Sequence, residues 1–392
     1  MHTETTFAED LLLSTLQDPS SAPSSGLTLV AGNRSGRITL ALAQAGVEVV
    51  AHAFDAHHAR AIRDRLAEAG IKQEAVVECT AAVPKGPFAR AYFMTTPLSM
   101  PSELVLDQLE DIRSCLELGG ELIAAFEGNP DEALKTLKKV FAKVHVLNPA
   151  SQSSFMAMMK EKGFKGPRAI KQLRTLALFR VVKGEKDAAA RPRSFAADWP
   201  ASVPGGKTLT FTSLPGCFCH RRADPGGLAL AETACARLKV DEDKSKAGTK
   251  ALNILDMGCG CGFVGLLVAN SLGQQASPAS LTLLDSHARA LAAAEINARR
   301  LGIAARFVLA DDGMPTEDAG RYDVFLGNPP YFGDWRIAET FVSTAKKVLR
   351  PGGVCFTVAK SEGGLKELQE RIFGNVEVVH RRGYCVFIST AG

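Results

Sequence analysis

The most chemically pointed stretch of this chain is Asn328-Pro329-Pro330-Tyr331. Its two prolines lock φ and remove two N–H donors, so the local backbone presents carbonyl acceptors in fixed directions. Asn328 adds a side-chain acceptor and Tyr331 a flat face. Acceptors beside an aromatic plane suit a planar amide or base amine: they hold the –NH₂ hydrogens while the ring stacks. A second pointed stretch is Asp256-Met257-Gly258-Cys259-Gly260-Cys261-Gly262, between an apolar strand and a helix. Alternate glycines let the backbone turn sharply and let a ligand approach without a Cβ in the way. Gly260-x-Gly262-x-x-Gly265 also satisfies the dinucleotide fingerprint, with Asp285 twenty residues beyond Gly265. The loop alone therefore does not choose its ligand. With either ligand, Asp285 ends the following strand, where it can accept hydrogen bonds from ribose hydroxyls. The amine clamp at Asn328 decides against hydride transfer, which has no use for it.

Both stretches must be carried by strands, and the strands come in two sets. Leu27–Val30 runs into Gly32-Asn33-Arg34-Ser35-Gly36, as Leu252–Met257 runs into the second glycine loop. Val47–Phe54 ends at Asp55 as Leu281–Leu284 ends at Asp285, each followed by an Ala- and Arg-rich helical stretch. Ala91–Met94 leads into Thr95-Thr96-Pro97-Leu98, and Val324–Gly327 into Asn328. The paired anchors lie 226 to 233 positions apart, a drift that loop insertions explain. Alternating apolar strands and helices predict an α/β chain of two doubly wound domains, each built on a parallel sheet. Lys183–Lys207, rich in cations, Pro and Ala without apolar periodicity, reads as a linker between domains 1–182 and 208–392. A short helix, Leu228–Leu238, and a polar break, Asp241–Lys250, give the second domain an extension that the first lacks.

Composition sets the bounds. The 392 residues carry 46 Lys and Arg against 42 Asp and Glu, so a nucleic-acid surface must be a local patch. A hydrophobic share of 46% excludes a disordered or disulfide-stapled chain. No segment has the length of apolar residues a membrane span needs, and the N-terminus lacks a secretory pattern. Nine scattered cysteines fit reduced thiols, so a soluble, cytoplasmic protein is expected. Aromatic usage is lopsided, 20 Phe against 4 Tyr and 2 Trp, which marks each Tyr or Trp for attention.

Leu255–Gly262, Asp285 and Asn328–Tyr331 resemble the motifs of class I S-adenosylmethionine-dependent methyltransferases that act on exocyclic amines. Leu214-Pro-Gly-Cys-Phe, continuing to Asp224-Pro-Gly-Gly-Leu228, resembles a stretch that precedes the core in the tandem-domain ribosomal RNA guanine-N2 methyltransferases. The resemblance implies two tandem Rossmann-like doubly wound class I methyltransferase domains, the first degenerate. It implies S-adenosyl-L-methionine as cofactor, with Asp256, Gly258, Gly260 and Gly262 along its methionine end. Asp285 would hold the ribose, Asp311 or Asp312 the adenine, and Asn328, Pro329 and Tyr331 the target base. Tyr331 stands where those guanine enzymes mostly carry Phe, a feature shared with adenine-N6 and glutamine-N5 methyltransferases. A noncatalytic RNA-binding assembly factor is the further alternative.

At the matching positions of the first copy, Val30 replaces Asp256 and Arg34 replaces Gly260. An arginine there would fill the space of a sulfonium cofactor and set cation beside cation, so no cofactor is expected in that domain. Asp55 survives, a position equally suited to a helix N-cap. Cys217-x-Cys219 with His220, and Cys259-x-Cys261, lack the two-residue spacing of a zinc knuckle, and no metal is expected. Candidate phosphate contacts are Arg221 and Arg222, the linker cations, Lys346-Lys347-Arg350 and His380-Arg381-Arg382. Arg221 and Arg222 lie inside the family-like segment and are the leading pair for RNA. The expected partner is ribosomal RNA or a ribosomal subunit.

Overall fold

The structure, a computed structural model, describes residues 7–16, 26–72, 74–95, 102–147, 176–202, 208–244, 252–272, 280–330 and 335–392. The chain divides into two compact units, Met1–Phe195 and Ala196–Gly392.

In unit 1, helix α1 (Phe7–Leu16) precedes β1 (Thr28–Ala31), α2 (Arg37–Gln44), β2 (Val49–Ala53), α3 (Ala56–Glu68) and β3 (Ala75–Cys79). There follow β4 (Phe88–Thr95), α4 (Ser102–Cys115), β5 (Leu116–Glu127), α5 (Pro130–Lys138), β6 (His145–Leu147), β7 (Leu176–Val182) and α6 (Glu185–Ala189). The sheet order is β3-β2-β1-β4-β5-β7-β6. Unit 2 opens with β8 (Ala197–Ser202) and β9 (Thr208–Ser213), an antiparallel pair. It continues as α7 (Pro225–Lys244), β10 (Asn253–Met257), α8 (Phe263–Leu272), β11 (Ser280–Asp285), α9 (Ala288–Leu301), β12 (Ala305–Leu309) and β13 (Tyr322–Gly327). The last elements are α10 (Trp335–Val348), β14 (Leu349–Ala359), α11 (Gly363–Phe373), β15 (Glu377–Arg381) and β16 (Tyr384–Thr390). Its order, β12-β11-β10-β13-β14-β16-β15, repeats that of unit 1 strand for strand.

Three expectations change. Each sheet is mixed rather than parallel, because β7 and β16 run antiparallel to β5 and β14. The cause in unit 2 is visible locally: Arg381 pairs with Tyr384 across a two-residue turn, Arg382-Gly383, with φ of 52° and 74°. Such a turn returns the chain beside itself instead of across a helix. The 183–207 stretch is not a plain spacer. Its first part carries α6 and is tied into unit 1, where Arg193 Nε meets Glu110 Oε1 at 2.7 Å and Arg113 Nη1 donates to the Ala190 carbonyl. Its later part supplies β8, in which Trp199 stacks on Phe211 at 5.3 Å and meets the edge of Phe263. Nor does the second core alone have an extra helix: α1 packs on α2, β5 and β7 just as α7 packs on α8, β14 and β16. Buried Glu9 and Asp10 disguised α1 as polar; Arg37 meets Asp10 at 2.7 Å and Ser35 donates to Glu9.

Candidate functional site

In unit 2 the chain reverses direction of strand addition at β10, which lies between β11 and β13. A crevice beyond the carboxyl ends of these strands is where an open α/β sheet takes its ligand. Asp256, Asp285 and Asn328 all stand at that edge, at the ends of or just beyond β10, β11 and β13.

The glycine loop has a division of labour. Gly258, Gly260 and Gly262 all have left-handed φ, of 67°, 56° and 78°. A Cβ on Gly258 would lie 2.7 Å from Phe341 Cζ, and one on Gly262 would lie 2.8 Å from Leu266 Cδ1. These two, with Gly265 against Asp256, are glycine so that the helix and strand can meet. At Gly260 a Cβ would meet nothing within 4 Å. Its missing side chain leaves room in the crevice instead of serving the core.

The two acids are held differently. Asp285 is half-buried; its Oδ2 accepts the Gly260 N–H and its Oδ1 the His287 N–H, both at 2.8 Å. It therefore fixes the loop's middle to the end of β11. Asp256 is buried, and its Oδ2 accepts the Gly265 N–H at 2.8 Å. Burial pushes its carboxyl up to about 7, the Gly265 N–H opposing and the charge of Asp285 adding to the rise.

Asn328 is half-buried, Pro329 buried and Pro330 exposed. Asn328 Nδ2 donates to Asp224 Oδ2 at 2.7 Å. A carboxylate only accepts, so this contact fixes which way the amide faces and leaves Oδ1 as the acceptor for an incoming amine. Asp224 also accepts the Gly227 N–H at 2.6 Å, capping α7 just ahead of Pro225. This residue went unread as part of the site in the sequence. The signal was present, an Asp-Pro-Gly-Gly helix start, but nothing in it points across 104 positions to Asn328. Tyr331 lies outside the described residues.

Residues 208–388 match the family model described as the methyltransferase small domain. The second unit is a methyltransferase domain. Over 95% of this chain the sequence is 28% identical to the "Ribosomal RNA large subunit methyltransferase G" of Streptomyces griseus subsp. griseus, spanning 89% of that protein. It is 28% identical over 59% of its length to the "Ribosomal RNA small subunit methyltransferase C" of Pseudomonas entomophila, spanning 65% of that protein. A solved T. thermophilus 16S rRNA N2 methyltransferase, in complex with AdoMet and guanosine, superposes with a TM-score of 0.72. That match covers 100% of this chain and 93% of the other at 20% identity, and it shows the tandem fold.

Around the methyltransferase domain's crevice the other expected residues are less uniform. Asp311 and Asp312 follow β12 on the same edge, half-buried and exposed respectively. Arg221 and Arg222 are exposed on the segment that leads into α7, with Arg221 at φ 71° and its N–H donated to Ser213 Oγ. Other expected phosphate contacts have intramolecular partners: Arg382 meets Glu232 at 2.8 Å, Arg350 meets Asp323, and Lys183 donates to the Leu116 carbonyl. The cysteines of the suspected metal motifs diverge. Cys217 points to the Arg289 carbonyl, Cys219 to Asp224, and His220 to Ser213. Burial pushes Cys217 up to about 11 and Cys261 up to about 12, so both thiols stay protonated. Asn297, fully buried, ties β9 to the glycine loop by donating to the Thr212 and Cys261 carbonyls.

Proposed function

We propose that this chain transfers the methyl group of S-adenosylmethionine to the exocyclic N2 amine of a guanine in ribosomal RNA. The observation that carries the reading is the Asp224–Asn328 contact, which presents an amide oxygen at the switch point beside the opening over Gly260. The residues fit the cofactor: Gly260 offers space where its neighbours are packed, and beside it Asp285 presents carboxylate acceptors at the end of β11. Asp256, Gly258, Gly260 and Gly262 would line the methionine portion, Asp285 the ribose, and Asp311 or Asp312 the adenine. Bound there, S-adenosylmethionine supplies a methyl group already activated by its sulfonium.

The chain's own work is positioning. The lone pair of a guanine amine is delocalised into the ring. Asn328 Oδ1 and the Pro329 carbonyl accept the amine hydrogens, draw the lone pair back onto nitrogen and stabilise the positive charge that develops. The nitrogen sheds a proton once alkylated, and no strong general base is required. The amine edge is hidden in a duplex, so the base enters unpaired or flipped, with Tyr331 as its stacking face. The first unit, Met1–Phe195, grips structured RNA and holds no cofactor. Arg221 and Arg222 meet phosphates beside the crevice. Among the described residues no helix is long and apolar enough to cross a membrane. All nine cysteines are unpaired, as thiols are in a reducing cytoplasmic setting.

The test is a methyl-transfer assay with tritiated S-adenosylmethionine on unmodified small and large ribosomal subunits, naked ribosomal RNA and protein extract. Label in N2-methylguanosine after nucleoside digestion is the expected result. Label in N6-methyladenosine, or only in protein, overturns it.

A further inference from the structure

Two aromatic side chains stand on the edge that holds Asn328 and are unused by the reaction above. Trp335, the first residue of α10, lays its indole on Gly364, where a Cβ would lie 2.6 Å from Cη2. It is 55% exposed, whereas Trp199 is 5% exposed in the core. A flat ring seated on a glycine and still open to water is oriented rather than buried. Tyr384, the first residue of β16, carries the Lys360 ammonium 4.3 Å from its ring centroid. It stands on Gly226, where a Cβ would lie 3.1 Å from Cε1, two residues from Asp224.

The fold puts these groups on one rim. α10 follows the Asn-Pro-Pro-Tyr motif, Lys360 follows β14, and Gly364 lies in the first turn of α11. β14 is the direct neighbour of β13, and β16 pairs with β14 from its far side. The antiparallel sense of β16 brings its start, Tyr384, to the carboxyl edge of β14, where Ala359 pairs with Cys385. The turn behind Tyr384 is held in place: Arg382 Nη2 and Nε reach Glu232 of α7 at 2.8 and 3.1 Å. The sequence spends rigid structure on presenting two exposed or half-exposed rings and one cation.

We propose that Trp335 is the stacking face for a nucleotide that flanks the target guanine, and that Lys360, held over the face of Tyr384, meets a phosphate of the same strand. The inference rests on the RNA reading above and names how that RNA is held. A base drawn out of its stack leaves its neighbours without partners. Any base can stack on an aromatic plane such as Trp335, and an ammonium held over the face of a second ring is oriented to meet a phosphate. Trp335 and Tyr384 are positioning residues for the strand and do not touch the reacting atoms.

The chain reports its own answer, because Trp335 is its exposed tryptophan. Wild-type protein with S-adenosylhomocysteine is titrated with a single-stranded RNA heptamer carrying a central guanosine, and with the same heptamer made abasic at both flanking positions. Tryptophan emission should fall, and acrylamide quenching weaken, with the intact heptamer only; Trp335→Phe should remove the response. Trp335→Ala should weaken heptamer binding about tenfold, with Trp335→Phe largely rescuing it, whereas Tyr384→Ala, which releases Lys360, should weaken it less, with Tyr384→Phe, which keeps the ring under the ammonium, restoring it. Lys360→Met should lower the slope of log affinity against log salt by about one. The proposal is overturned if the intact heptamer does not bind, if it binds no more tightly than the abasic one, or if Trp335 emission does not respond. Failure of the methyl-transfer reading shows separately, as wild-type protein that leaves no N2-methylguanosine in ribosomal RNA.

Discussion

The two glycine loops of this molecule occupy the same place in the same topology and are built for opposite ends. In unit 2, Gly260 faces open space and its N–H is held by Asp285. In unit 1 the loop is filled from within. Asn33 and Ser35 are 2% and 1% exposed; Asn33 Nδ2 donates to Thr39 Oγ1 at 2.9 Å and its Oδ1 accepts the Gly36 N–H. Ser35 donates to Glu9 and its carbonyl accepts from Arg65 Nε at 2.6 Å. The pair Asp256–Gly265 has become Val30–Thr39, so an acid braced on a helix start is replaced by a hydroxyl that ties the loop to itself. Asp55, at the place of Asp285, caps α3 by accepting the His57 N–H. Topology is therefore shared, and the difference between an open loop and a filled one lies in what a handful of side chains do with the space.

That comparison can be broken by substitution. Asn328→Ala should cost kcat roughly a hundredfold to a thousandfold, the scale of losing a positioned group that stabilises developing charge. Thr95→Ala, at the matching place in unit 1, should leave kcat unchanged in the same assay. Gly260→Arg imports the first loop's residue into the second; S-adenosylmethionine affinity should fall about a hundredfold, from steric filling and cation beside cation. Calorimetry reads it; circular dichroism should show the fold retained with a somewhat lowered melting temperature, because the position has room for a side chain while its φ of 56° disfavours one.

A pH test sharpens the contrast at Asp256. Its native pKa of about 7 lies above its ordinary value of 3.8, so the folded chain keeps a proton that the unfolded chain releases. Stability from this group is fully present below pH ~4 and is lost as pH rises through ~7, about 2 kcal/mol between pH 5 and pH 7. Asp256→Asn should remove that slope, gaining on the wild type in thermal melts at pH 8 relative to pH 5. Smaller still, Asp224→Ala should lower kcat about tenfold while leaving S-adenosylmethionine affinity unchanged, with Asp224→Asn between. An equal loss in cofactor affinity would show that Asp224 supports the fold and not the amine clamp.

Much of this was legible in the residues. The repeat gave the strand order's shared logic, and α9 runs over Ala288–Leu301 as its Ala-rich pattern predicts. The glycine loop, Asp285 and Asn328 are brought to one edge because short apolar strands end where the pattern breaks. What escaped depends on long-range partners. Nothing in the sequence marks Glu9 and Asp10 as buried; Ser35 and Arg37 come against them only in the fold. Trp199 sat in a stretch with linker composition, yet it pairs across β8 and β9 and packs on Phe263. Asp224 caps a helix start, and its second partner lies far along the chain. Gly258 and Gly260 look alike in the sequence, and only the neighbouring Phe341 separates the glycine that packs from the one that opens.

The central claim is that one loop binds and its copy does not. Calorimetric titration of the full chain with S-adenosylmethionine tests it most directly, run beside Gly260→Arg. One cofactor per chain, lost in Gly260→Arg, is the predicted result. Two cofactors per chain, or a single site that survives Gly260→Arg, would contradict it.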